Sequence, residues 1–336
     1  MPLSSPTDRL SSIEWQVTRR LASDDQDGEE LSTAEGRTLL SEAAALGASR
    51  VLLSGGDPSV RADLPEIVAH GASLGLAMWV LAPPTPRILH AAQPALKRAG
   101  LRGLATALHG PDGKAHDRAC STPGSFEATI ELLQAAREAE LGLEVRTALL
   151  AGRLRILPMM AELVASIGAA RWTLLAPVEA ERSLGALALE RALTTLSDLA
   201  ALHRFEVSAV AAPHLARVVR VRHGASQSGP AGRVHVERDG VKRLYVSSAG
   251  EVFPSAELPL SVGNVRELPL AGALDHRTIE RLSDAESLSG KCGACSFRFL
   301  CGGSRARAFA EKADPWAEDP SCAYQPRSAR GKSHPA

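Results

Sequence analysis

From about residue 12 to residue 205, short apolar or β-branched runs alternate with helix-length amphipathic segments. That alternation restricts the chain to repeated βα units around a parallel sheet. Strands are expected at 13–18, 50–54, 77–81, 103–108, 143–149 and 171–175. Helices are expected at 32–46 and 125–138, the first opened by Ser32 and Glu35, a capping-box pair that satisfies free backbone N–H groups. Turn formers collect after the strands, in Gly55-Gly56-Asp57-Pro58, Pro83-Pro84-Thr85-Pro86 and His109-Gly110-Pro111-Asp112-Gly113. In parallel βα architectures such loops line the active face.

Beyond residue 205 the pattern becomes β-rich, with runs at 233–237 and 243–247, before a cysteine-bearing part begins. The expected division is 12–205, a bridging segment 206–254, a cysteine-bearing domain 255–325 and a flexible tail 326–336. The Gly/Ser-rich stretch 223–232 reads as a mobile loop. With 45% hydrophobic residues and a formal net charge of +0, nothing favours nucleic acid or an anionic membrane as partner. No signal segment opens the chain and no apolar run spans a bilayer, so a cytoplasmic protein is expected.

The cysteines carry the sharpest chemical signal. Of five, four fall within residues 292–322: Cys292, Cys295, Cys301 and Cys322. A Cys-x2-Cys knuckle lets two sulfurs converge, and thiolates are soft ligands for zinc or an iron-sulfur cluster. Spacing alone does not separate these. Gly302, Gly303, Arg298, Arg305 and Arg307 are placed to supply N–H donors and positive charge to thiolates. The fifth, Cys120, stands alone in an expected loop near the fourth strand and reads as a partly buried free thiol.

The run Cys292-Gly293-Ala294-Cys295, then Cys301-Gly302-Gly303-Ser304-Arg305, then Asp319-Pro320-Ser321-Cys322-Ala323-Tyr324 resembles the SPASM domain of radical S-adenosylmethionine (SAM) enzymes. It is most similar to the branch that includes tetrapyrrole-modifying members. The resemblance implies that these four cysteines hold one auxiliary 4Fe-4S cluster. Ser304 and Ser255 stand where members with a second auxiliary cluster carry further cysteines. Upstream, Gly55-Gly56-Asp57-Pro58 resembles the family's Gly-Gly-Glu-Pro turn, which approaches SAM through backbone atoms, a close approach that glycine permits. The stretches 107–112, 116–117, 124–126, 246–255 and 263–266 continue the similarity, with His109 where the family usually has Asp. Coverage runs from about Trp15 to Tyr324, and the implied fold is a partial parallel (β/α)6 TIM-like barrel with a C-terminal SPASM-like domain.

One element of the family is missing. Its Cys-x3-Cys-x2-Cys loop after the first strand holds the cluster that reduces SAM. Here Leu21 to Glu29 contains no cysteine. The auxiliary cluster does not replace it, because four cysteines fill its protein-ligand positions and leave no open iron. The acidic run Asp24, Asp25, Asp27, Glu29 and Glu30 reads as a solvated surface loop. Three readings therefore stand. The chain is a degenerate homologue, keeping one cluster and pairing with a complete radical SAM enzyme or a tetrapyrrole or peptide substrate. Otherwise it is an active SAM-dependent enzyme with unconventional ligands or a cluster loop lost from the gene sequence, or a zinc-stabilised interaction module.

Overall fold

The computed structural model describes residues 9–21, 29–85, 93–179, 183–224 and 230–326. Asp24, Asp25 and Asp27, Pro86, the interior of the 223–232 loop and nearly all of the 326–336 tail lie outside the described residues.

The six expected strands are all present: β1 (Ser12–Thr18), β2 (Arg50–Gly55), β3 (Ala77–Leu81), β4 (Gly103–Ala107), β5 (Gly142–Ala148) and β6 (Arg171–Leu175). They pair in parallel in chain order. Four further strands extend the same sheet: β7 (Glu206–Val210), β8 (Val234–Val236), β9 (Arg243–Val246) and β10 (Val252–Phe253). The observed order is β10-β9-β1-β2-β3-β4-β5-β6-β7-β8. Strands from the segment expected to bridge thus close onto both edges of the barrel sheet: β7 and β8 beyond β6, β9 and β10 beside β1.

Period-two alternation divides each strand between two environments. The odd-numbered Ile13, Trp15 and Val17 of β1 are buried. Trp15 fits against the helix Thr33–Ala45 only because Gly36 faces it; a Cβ there would sit 2.3 Å from the indole. The capping box of that helix forms as expected, with Ser32 and Glu35 each bonding the other's backbone N–H. On the opposite side of the strands stands a ladder of charge. Arg50 pairs with Glu144, whose other oxygen accepts from Arg146 Nε at 2.9 Å and Thr173 Oγ1 at 2.9 Å. Arg243 Nη2 meets Glu14 Oε2 at 2.8 Å and its other nitrogen meets Glu237. Trp79 lies in a slot left by Gly103 and Gly142, where added Cβ atoms would stand 2.5 and 2.9 Å from its ring. The ladder crosses the barrel near the strand starts and leaves the C-terminal ends of the strands for a site.

Candidate functional site

The chain leaving β1 and the Gly55–Pro58 turn are stitched together. Opposite a register shift at the end of β1, Gly55 takes φ +128°, a conformation suited to glycine. Gly56 N donates to Thr18 O at 3.1 Å and Asp57 N to Arg20 O at 2.8 Å. A Cβ on Gly56 would lie 2.1 Å from Arg20 O, so the chain itself, not a ligand alone, demands glycine there. Asp57 is fully buried and its carboxylate accepts from Ser59 and Thr85 Oγ1.

The two ends of the segment without cysteines are pinned by charge. Arg61 Nη1 donates to Val17 O at 2.8 Å on one side and Leu31 O at 3.0 Å on the other, while Asp63 holds the rest of its guanidinium. Glu30 Oε1 accepts from Thr18 Oγ1 at 2.6 Å and Arg19 N at 3.1 Å. Glu29 and Glu35 both meet Arg266. Glu29 and Glu30 thus have structural partners.

Cys292, Cys295, Cys301 and Cys322 line one cavity, together with His214 and Arg217 from the helix His214–His223. Three of their sulfurs accept hydrogen bonds from N–H donors. Cys292 Sγ accepts from Asp319 N at 3.3 Å and Arg305 Nη2 at 3.7 Å, Cys295 Sγ from Phe297 N at 3.4 Å, and Cys301 Sγ from Gly303 N at 3.4 Å. Gly303 has φ +70°, and a Cβ there would press on Arg305, Asp319 and Cys292 Sγ at 2.6 to 3.1 Å. Such N–H donors and a nearby guanidinium are what the anionic sulfurs of a metal centre need, so the donor set fits a thiolate-held group. Among the described residues no group of three or more His, Cys, Asp or Glu side chains is gathered as a metal-ion site would be; the four cysteines line the same cavity.

Burial pushes the Cys301 thiol up to about 12 and raises Cys292. Both would therefore give up a proton when ligating. Burial acts the same way on Cys322, but the close His214 outweighs it and holds that thiol below its ordinary range. Behind it, Asp319 is fully buried and its carboxylate accepts from Ser304 N at 2.7 Å and from Ser321 N and Oγ at 2.8 and 2.7 Å. Arg307, expected to face the sulfurs, turns instead to Ser321 Oγ at 2.8 Å, Ala211 O at 3.2 Å and Pro177 O at 3.2 Å. It ties the cysteine-bearing part to the ends of β6 and β7. His214 carried no local sequence signal; it is brought to Cys322 only by the fold.

Ser304 and Ser255 have structural partners. Ser304 Oγ caps the helix Arg305–Lys312, accepting from Arg307 N at 3.2 Å, and Ser255 Oγ donates to Asp239 at 2.7 Å. Cys120 does not lie in a loop as expected. It ends the helix Gly113–Cys120, capped by Asp112, with its sulfur 3.4 Å from His116 Nε2 and away from the other four. His109 Nδ1 accepts from Ala148 N at 3.3 Å.

A second cavity, about 500 Å3, opens where β5, β6 and β7 end, bounded on its far side by the helix Arg305–Lys312. No helix among the described residues is long and apolar enough to cross a membrane.

The profile of the radical SAM superfamily matches residues 15–153. The chain is 30% identical over 318 residues to a protein named AdoMet-dependent heme synthase from Methanosarcina barkeri (strain Fusaro / DSM 804), covering 88% of each. It is 26% identical over 310 residues to a PqqA peptide cyclase from Rhodopseudomonas palustris (strain ATCC BAA-98 / CGA009), covering 89% of this chain and 80% of that one. Among solved structures, Streptococcus suis SuiB bound to S-adenosylmethionine superposes with a TM-score of 0.73 at 13% identity, over 94% of this chain and 76% of that one. At that identity the likeness speaks for the fold, and it bears out the partial barrel. Similarity over 88% of the chain, the superfamily profile and the shared fold agree: this chain belongs to the radical SAM superfamily.

Proposed function

We propose that this chain is a SPASM-type member of the superfamily that holds one 4Fe-4S cluster on Cys292, Cys295, Cys301 and Cys322 and binds a substrate or a complete enzyme of its family, without generating a radical itself. The supporting observation is a contrast. Leu21 to Glu29 offers no cysteine where the SAM-reducing cluster would be held, while the four C-terminal sulfurs share one cavity supplied with N–H donors. When bound, the cluster supplies a redox-active, four-cysteine-ligated centre. Gly303, Arg305 and the Asp319 backbone would hold its sulfurs in place, and His214 would face Cys322. The relatives' names, a heme synthase and a peptide cyclase, point to a tetrapyrrole or a peptide as the ligand class.

The Gly55–Pro58 turn favours a second reading, an active SAM-dependent enzyme with unconventional cluster ligands that binds SAM at the barrel mouth. Anaerobic reconstitution followed by iron and sulfide analysis, then incubation with reductant and SAM, tests both. The proposal expects about four irons per chain and no 5′-deoxyadenosine. Zinc alone, or formation of 5′-deoxyadenosine, would overturn it; a SAM-derived product would favour the second reading.

A further inference from the structure

Among the described residues, the charge of the barrel-mouth cavity is unbalanced. Its wall is apolar, with Leu175, Val178, Val210 and Phe309, and it carries two carboxylates, Glu179 and Glu257. Its volume of about 500 Å3 falls inside the usual range for small-ligand sites. Among the described residues that line it there is no lysine, arginine or histidine. Arg243 and Arg146 act on Glu257 from nearby, but both guanidiniums are already shared, Arg243 with Glu14 and Glu237 and Arg146 with Glu144 and Glu14. Glu14 and Asp239 add further negative charge around Glu257. Burial raises the Glu257 carboxyl, as expected for an acid set in an apolar wall.

We propose that this cavity binds a ligand with an apolar body and an ammonium or guanidinium group, which meets Glu257 and Glu179, and that it rejects polycarboxylates. The inference rests on the ligand-binding reading above and narrows it. An incoming cation supplies the missing partner, whereas an incoming carboxylate adds like charge in a poorly screened space. Of the two ligand classes, this favours a peptide presenting a lysine, an arginine or a terminal amine over a tetrapyrrole bearing several carboxylates.

Calorimetry on the full chain, reconstituted to about four irons, tests it with matched probes. Tryptamine and indole-3-propionate share an apolar body and differ in charge. Acetyl-Leu-Lys-Leu-amide and acetyl-Leu-Glu-Leu-amide repeat the comparison in a peptide and distinguish a free amine from a side chain. The expected result is a preference of about tenfold or more for the cationic member of at least one pair. That preference should collapse in Glu257→Gln, with iron content and melting temperature unchanged. Equal affinities, a preference for the acids, or a preference that survives in the Glu179→Gln/Glu257→Gln double variant would overturn the proposal. So would absence of binding by any probe to iron-loaded protein, a failure that leaves the cluster assignment standing. Failure of the cluster assignment would show first, in the iron analysis.

Discussion

His214 Nε2 lies 3.1 Å from Asp319 Oδ2, and both side chains are shut away from solvent, although 105 residues (319 − 214) separate them in the chain. Burial alone would lower the histidine, yet the carboxylate brings it up to about 9; burial alone would raise Asp319, yet His214 and Arg307 hold it well below the usual carboxylate range. Through its own backbone N–H, Asp319 also reaches Cys292 Sγ. One buried carboxylate thus joins the barrel helix that carries His214 to the loops that carry the cysteines. Removing it strands buried charge on His214 and Arg307, and breaking a buried pair from one side costs about 3–5 kcal/mol. Asp319→Ala should lose that much in denaturant unfolding, with Asp319→Asn losing less because its one amide oxygen keeps an acceptor for either Ser304 N or Ser321. A loss under about 1 kcal/mol for Asp319→Ala would show that the carboxylate is not the joint.

The four sulfurs and the fifth should separate cleanly in metal analysis. Cys292→Ala, Cys295→Ala, Cys301→Ala and Cys322→Ala each remove a proposed ligand from a shared cavity, whereas Cys120 meets His116 elsewhere. Each of the four variants should retain well under the parent's iron after anaerobic reconstitution and desalting, and Cys120→Ala should match the parent. Iron retained in all four single variants, or lost in Cys120→Ala, would contradict the assignment.

Local pattern made the barrel legible. Strands β1 to β6 and the helix Ser125–Glu138 lie within about a residue of where periodicity and turn residues place them, because those signals are written in contiguous residues. The Ser32–Glu35 capping box is readable for the same reason. What escaped is long-range. The β-branched runs behind β8 and β9 announce strands, but nothing local says that β9 pairs with β1 or that β7 extends the sheet beyond β6. The cysteines are legible as a set from spacing, while His214 sits in an ordinary amphipathic helix and acquires its role only when the fold delivers it to Cys322 and Asp319. Arg307 is legible as a cation near the cysteine segment, but its direction, toward Ala211 O and Pro177 O, depends on packing between the two parts of the chain.

The Gly55-Gly56 turn makes a stability prediction independent of any ligand. Gly55→Ala forces a side chain into φ +128° and a Cβ to within 2.0 Å of Thr18 O, and Gly56→Ala places one 2.1 Å from Arg20 O. Gly75 also has positive φ, +82°, but nothing lies within 4 Å of its Cβ position. Gly75→Ala should therefore cost about 1 kcal/mol, and Gly55→Ala about 3 kcal/mol or more, through strain and clash together. Urea unfolding without SAM checks the order. Equal losses would mean that the chain after β1 yields to the added methyl.

Glu35 and Arg266 give the acid side of the stability profile. A hydrogen bond from Arg266, followed by those from Ser32, lowers the Glu35 carboxyl from 4.5 to about 2. The folded-state value is depressed, so the stabilisation is complete above the ordinary value of 4.5 and is lost as pH falls toward 2. The pair is partly exposed, with side chains 26% and 36% accessible, so solvent screening keeps its worth to about 1 kcal/mol or less. Glu35→Gln keeps an acceptor for Ser32 N, and with it the capping box, while removing the charge that Arg266 meets. The gap in unfolding free energy between parent and Glu35→Gln should be largest at about pH 7, shrink between pH 4.5 and about 2, and shrink again when salt is raised at about pH 7. A gap unchanged across that pH range would place the stabilisation in the capping hydrogen bonds and not in the ion pair.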